Sequence, residues 1–144
     1  MRVVRDTNVL ARAHQKARGP ARRVLLYAIS DAAVLVVSPY ILGELERVLT
    51  YPRLLKRSGL TASDIVEYLE SLAAAASLVQ PEPVPRDVLR DPTDLFVLGT
   101  ALAGKSGILC TRDADFFDGK VQKFCEANGI RVLTDLEFID KFKI

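Results

Sequence analysis

Cysteine and histidine are scarce in this chain: Cys110, Cys125 and His14 are the only ones among 144 residues. The two cysteines show no Cys-x-x-Cys spacing and have no histidine near them. This argues against a zinc site or a dithiol redox pair and leaves buried thiols as the expectation. Long apolar runs are missing too. The longest, AAVLVV (Ala32 to Val37) and LAAAASLV (Leu72 to Val79), fall well short of the roughly 18 residues that span a bilayer. The amino-terminal apolar segment is short and is broken by Arg2, Arg5 and Asp6, unlike a signal peptide, so no membrane partner and a cytoplasmic location are expected. Net charge is small, at +2, but unevenly spread.

What is present is apolar mass and alternation. Hydrophobic residues make up 49% of the chain, enough for one substantial core without disulfides or structural metal, and one domain covering residues 1–144 is expected. Val3 to Arg5 reads as a short strand, and Pro20 to Ser30 as a helix with Ala21, Val24, Leu25 and Ala28 at helical spacing. VLVVS (Val34 to Ser38) is a β-branched run suited to a sheet buried on both faces. Pro39 opens a helix to about Leu49, with Tyr40, Leu45 and Val48 as its expected buried stripe. A long helix follows Gly59, capped by Thr61 or Ser63, with Ile65, Leu69 and Leu72 inward. Gln80 to Pro92 carries four prolines and is a connector. The spacing then predicts a helix from Pro92 to about Ala103, a strand in GILCT (Gly107 to Thr111), a helix near Val121 to Ala127, a strand Arg131 to Leu133 and a last helix from Asp135. Short strands separated by helices indicate a parallel α/β sandwich.

The acids fall where such a fold places ligands, beyond the carboxyl ends of its strands. Asp6 follows the first strand, Asp113 and Asp115 follow the strand ending near Cys110, Glu44 lies one turn into the Pro39 helix, and Asp94 lies in the first turn after Pro92. Each has a plainer role when taken alone. Asp94 suits a helix cap, Asp6 an N-cap, Asp113 and Asp115 a turn, and Glu44 or its neighbour Glu46 a solvated helix face. Five carboxylates converging on one crevice repel one another, however, and a fold keeps them together chiefly where a divalent cation neutralises them. With one histidine and no cysteine cluster, the donor set fits Mg²⁺ or Mn²⁺. His14 is read as structural or RNA-facing. Residues 1 to 23 hold seven basic residues, among them Arg12, Lys16, Arg18 and Arg22, against the single acid Asp6; this is either a solvated face or a track for a phosphate backbone.

The stretches VVRDTNVL, SPYILGELERVL, RDPTDLFVLGTALAGKSGILCTRDADFF and GIRVLTDLEFI together resemble the PIN domain, in particular the VapC-like toxin ribonucleases of prokaryotic toxin–antitoxin pairs. The resemblance implies a PIN-like three-layer sandwich with a short central parallel sheet of about four to five strands flanked by helices. It matches Asp6-Thr7-Asn8 to the first acidic motif, Glu44 to the second, Asp94 to the third, and Asp113 with Asp115 to the last, leaving Asp91 as a structural acid. It implies a Mg²⁺- or Mn²⁺-dependent endoribonuclease cleaving single-stranded RNA, with an antitoxin protein as partner and a homodimer as the assembly. Asp6, Glu44, Asp94 and Asp113 would be catalytic. Asp6, Asp94, Asp113 and Asp115 would hold metal, with Thr7, Asn8 and Thr111 orienting them. Arg5 stands where the family has an aliphatic residue, and Arg112 where a small one is common. Arg5 is expected to curl over the crevice and pair with an acid. An aspartyl-nucleophile phosphohydrolase would want an acid at Asn8, which argues against it. The remaining alternative is a nucleic-acid-binding regulatory module with a vestigial metal site.

Overall fold

The computed structural model describes residues 1–144. Its strands are β1 (Arg2–Arg5), β2 (Val34–Val37), β3 (Ser77–Leu78), β4 (Ile108–Cys110) and β5 (Arg131–Leu133). Its helices are α1 (Thr7–Leu10), α2 (Pro20–Ala28), α3 (Pro39–Leu49), α4 (Pro52–Ser58), α5 (Ala62–Ala75), α6 (Leu95–Ala103), α7 (Gly119–Ala127) and α8 (Asp135–Phe142), with 3-10 turns at Pro92–Asp94 and Ala114–Phe117. All strand pairs are parallel, in the order β3-β2-β1-β4-β5. The chain therefore winds outward from β1 to one edge, then returns to build the other half from β4. The reversal between β1 and β4 is the place where an open α/β sheet leaves a crevice at its carboxyl end.

The sheet separates two helical layers, as expected of an α/β sandwich. Alternation along β1 puts Val3 and Arg5 on one face and Val4 on the other. Arg5 meets Val24 of α2 and Phe138 of α8. On the opposite face, Gly104 at the end of α6 lies so close to Val36, the register partner of Val4, that a Cβ there would come within 2.4 Å of the valine side chain. One hydrophobic cluster of 35 buried residues runs through both layers. No helix is long and apolar enough to cross a membrane.

Three elements go beyond the sequence reading. Strand β3 is a two-residue edge strand at the end of an alanine-rich helix, too short to show a period. Helix α1 is a single turn capped by Asp6. Helix α4 has Pro52 in its first turn and Gly59 just past its end at φ 69°, the proline-before, glycine-after signature of a helix, but its body is basic and has no fully buried residue. The buried stripe of α3 is Ile41, Leu45 and Leu49. Tyr40 and Val48 are only half-buried, one turn either side of Glu44 on the face toward the crevice.

Arg5 overturns its expectation. It is fully buried, with Nη2 donating to the Val24 carbonyl at 3.1 Å and the guanidinium carbon 4.3 Å from the Phe138 ring centre. It pairs with no acid, because the pleat directs it to the face covered by α2 and α8, away from the carboxylates. Nε and Nη1 have no hydrogen-bond partner, and burial lowers its pKa. Arg5→Met removes these unpartnered donors and keeps an unbranched chain against Phe138. Urea unfolding should show the variant as stable as the parent or more stable, by about 1 kcal/mol or more. Its divalent-cation affinity should be unchanged, and a tightened affinity would contradict the placement of Arg5.

Candidate metal centre

The site is assembled around Asp6. Leaving β1 in extended conformation, Asp6 caps α1, its Oδ1 accepting the Thr7 backbone N–H at 2.7 Å. Its Oδ2 accepts the Thr111 hydroxyl at 2.7 Å and the Asn8 side-chain amide at 3.2 Å. Thr111, fully buried past the end of β4, also accepts the Asp113 backbone N–H at 3.0 Å. The Asp113 carboxylate in turn accepts the Asp115 N–H at 3.0 Å, and the Asn8 side-chain oxygen accepts the Arg112 N–H at 3.2 Å. Asn8 and Thr111 bond the Asp6 carboxylate through their side chains, whereas Thr7 does so through its backbone.

The other two acids arrive on helices. Ser38 caps α3, its hydroxyl 2.8 Å from that of Thr100 on α6, so the helices carrying Glu44 and Asp94 are tied to each other. Asp91 accepts from the Thr93 N–H and hydroxyl at 2.9 and 2.8 Å, holding the 3-10 turn that presents Asp94. The connector closes over α6 at Gly99, where a Cβ would stand 2.3 Å from the Glu82 carbonyl oxygen, so only glycine permits this approach.

Asp6, Glu44, Asp94 and Asp113 line one open cavity of about 230 Å³ together with Tyr40 and Thr93. No lysine or arginine lines it. Arg47, exposed, holds Glu44 in a short ion pair from the rim. Carboxylate oxygens of Asp94, Asp113 and Asp115 lie within 4.8 Å of one another. Asp115 borders a neighbouring depression with Arg90 and Asp118 rather than the cavity itself. Asp94 and Asp113 belong to both groupings and are the centre of the acidic set.

The charge is under strain. Burial raises the Asp6 pKa, hydrogen bonds from Thr111 and Thr7 work against that, and Asp113 and Glu44 add to it. Asp94 is pushed up to about 7, first by burial, then by the charges of Asp113, Asp6 and Asp91. Clustered, desolvated oxygen donors with no histidine, cysteine or internal cation suit a hard divalent ion.

The basic segment is largely used by the fold itself. Three of its cations donate to backbone carbonyls of the chain. Arg12 Nε donates to the Asn8 carbonyl at 2.9 Å, with Nη1 3.4 Å from Asp135. Arg22 donates to Ala13 at 2.9 Å, and Lys16 to Gly59 at 2.8 Å, with Asp64 3.4 Å away. Arg18 alone of the four is exposed without such a bond. His14 is buried, its Nδ1 accepting the Lys16 N–H at 3.2 Å. The sequence reading missed Tyr40 and Val48 as cavity walls. The signal was available in the four-residue spacing of Tyr40, Glu44 and Val48, which puts an acid and its flanks on one helical face.

The family model described as the PIN domain matches residues 2–115, most of the chain, including the four cavity acids and Asp115. The chain belongs to the PIN-domain family. PIN domains are in general nucleases that require a divalent metal and bind nucleic acid, and this PIN domain carries an acidic set of that kind. A search of curated proteins gave no match.

The raised pKa of Asp94 gives a directional test. Its folded-state value of about 7 lies above the ordinary 3.8, so without metal the fold is stabilised by this group at low pH and loses that contribution as pH rises toward and through 7. In a chelator, Asp94→Asn should therefore melt above the parent at pH 8 and alongside it near pH 4 (thermal denaturation by circular dichroism). A lower melting temperature at pH 8 would contradict the repulsion.

Proposed function

We propose that this PIN domain, acting as one unit over residues 1–144, is a Mg²⁺- or Mn²⁺-dependent endoribonuclease for single-stranded RNA and the toxin of a two-component module. In this reading it is cytoplasmic, homodimeric and held in check by an antitoxin protein. The nuclease part is carried by one observation: four carboxylates from separate elements share a cavity that no lysine or arginine enters. The toxin assignment is supported by the resemblance of the four motifs. Asp6, Asp94 and Asp113 would hold the cation, with Glu44 and Asp115 assisting directly or through water. The ion, when bound, makes water a stronger nucleophile and offsets charge at the phosphate. Asn8 and Thr111 fix the orientation of Asp6, and Arg47 restrains Glu44 at the rim. No protein nucleophile is needed.

A vestigial site would need arginines standing in for metal. The two arginines beside the motifs do not do so: Arg5 lies under α2 and α8, and the Arg112 guanidinium is 3.6 Å from Asp135. The purified chain with single-stranded RNA should cleave in Mg²⁺ or Mn²⁺ and stop in EDTA. Asp6→Asn and Asp94→Asn should fall below detection while keeping native circular dichroism. Thr111→Val, which loses only the orienting hydroxyl, should lose about 10- to 100-fold in activity or metal affinity. Full activity in either aspartate variant would refute the assignment.

A further inference from the structure

Beside the acidic cavity, and sharing Asn8 and Val48 with it, lies a larger groove of about 530 Å³ between α1, α3 and α4. The two differ sharply in charge. The cavity is lined by four carboxylates and no cation, the groove by Arg12, Arg57 and His14 and no carboxylate. The polar side of the groove offers mainly donors. Its apolar lining comes from Ala11, Val48 and Leu54.

The positive charge is not cancelled within the chain. Arg57, in the last turn of α4, is exposed and has neither an acid nor a carbonyl as partner. Arg12 shares the buried carboxylate of Asp135 with Arg112, at 3.4 and 3.6 Å, so one negative charge faces two guanidinium groups. His14 accepts the Lys16 N–H on Nδ1, which in the neutral ring puts the proton on Nε2 as a donor. Burial, Arg22 and Lys16 all lower its pKa and favour that neutral ring.

We propose that this groove is a nucleotide subsite, seating the residue next to the scissile phosphate of a single-stranded RNA, with a backbone phosphate at Arg57 and Arg12 and the base against Leu54 and Val48. The inference rests on reading the acidic cavity as the place of cleavage. The groove's volume falls in the range of roughly 300–1,000 Å³ typical of small-ligand sites, room for one unstacked nucleotide and not for a duplex. Asn8 links the two halves. Its amide binds Asp6 at 3.2 Å while the residue also borders the groove, so a nucleotide seated there carries its next phosphate toward the acids. A strand laid across both would meet cations where its phosphate is held and carboxylates where a metal ion is needed, which is the charge pattern a metal-dependent phosphodiesterase requires.

The test is fluorescence anisotropy with a labelled oligouridylate of about eight nucleotides, in Ca²⁺ buffer at several salt concentrations, on the full chain. Arg57→Ala should weaken binding about tenfold and flatten the slope of log affinity against log salt by about 0.7. Leu54→Glu, at a half-buried position outside the main core cluster, should weaken it comparably by placing a carboxylate in the groove. Arg53→Ala, on the same helix but outside the groove, should bind as the parent does. All three should keep the parent's Mn²⁺ affinity by titration calorimetry. Parent-like binding by both groove variants, or an Arg53→Ala loss equal to that of Arg57→Ala, overturns the proposal. Competition by polyglutamate but not by uridine monophosphate also overturns it, because the groove would then fit an acidic protein segment. Metal-dependent cleavage with binding indifferent to Arg57 would remove the subsite and leave the nuclease reading intact. Binding that follows Arg57 in a chain that never cleaves would overturn the nuclease reading and with it the groove's place beside a scissile phosphate, leaving a single-strand binding groove.

Discussion

The hydrogen bond from the Thr111 hydroxyl to Asp6, 2.7 Å long and fully buried at the threonine end, joins the two halves of the molecule at the point where the rest of the site is anchored. It can form because β1 and β4 run parallel in a register that pairs Arg5 with Cys110, which brings the residues following each strand side by side. The same threonine oxygen accepts from Asp113, so one hydroxyl positions the first and last acids of the chain's motif series. Asp6 N–H bonds the Cys110 carbonyl at 2.9 Å, extending the ladder by one residue into the site. Without the strand reversal these groups would lie more than a hundred residues apart in sequence with nothing to join them.

Holding four acids in one cavity costs stability, and the fold offsets that cost in distinct ways. Asp6 is buried but accepts three hydrogen bonds, so its charge is stabilised by fixed dipoles. Glu44 reaches the rim, where Arg47 shares its charge with solvent close by. Asp94, pressed by burial and by the charges of Asp113, Asp6 and Asp91, has its pKa pushed up to about 7. Such a pattern concentrates unsatisfied negative potential near Asp94 and Asp113, while the adjoining groove concentrates the opposite sign around Arg57. The short helix α4, which has no fully buried residue, is placed to supply that charge.

Most of the architecture could be read from the chain because its signals are local. Pro39 opens α3, Thr61 or Ser63 marks the start of α5, and β-branched runs mark β1 and β2; the structure agrees within a residue or two, with Thr61 as the cap of α5. The acids were found because strand ends in a parallel sheet are identifiable before the strand order is known. What the sequence did not reveal depended on facing and on neighbours. Arg5 lies one residue before Asp6, yet the pleat sends it to the opposite layer, and only the covering of α2 and α8 decides that it stays there. The role of the basic segment could not be read because its partners are backbone carbonyls, which carry no sequence signal; Arg12, Lys16 and Arg22 bond those of Asn8, Gly59 and Ala13. Helix α4 lacked an apolar stripe, so periodicity could not find it, although Pro52 and Gly59 marked its ends.

The account depends on a cation being what reconciles these carboxylates. Anomalous diffraction from crystals soaked in Mn²⁺ examines this without reference to any substrate. The expected result is a peak in the cavity, coordinated by oxygens of Asp94 and Asp113 and with Asp6 or Asp115 as a further ligand. A cavity with no Mn²⁺ peak at saturating concentration, its acids instead bonded to arginine or lysine side chains, would contradict the account at its centre.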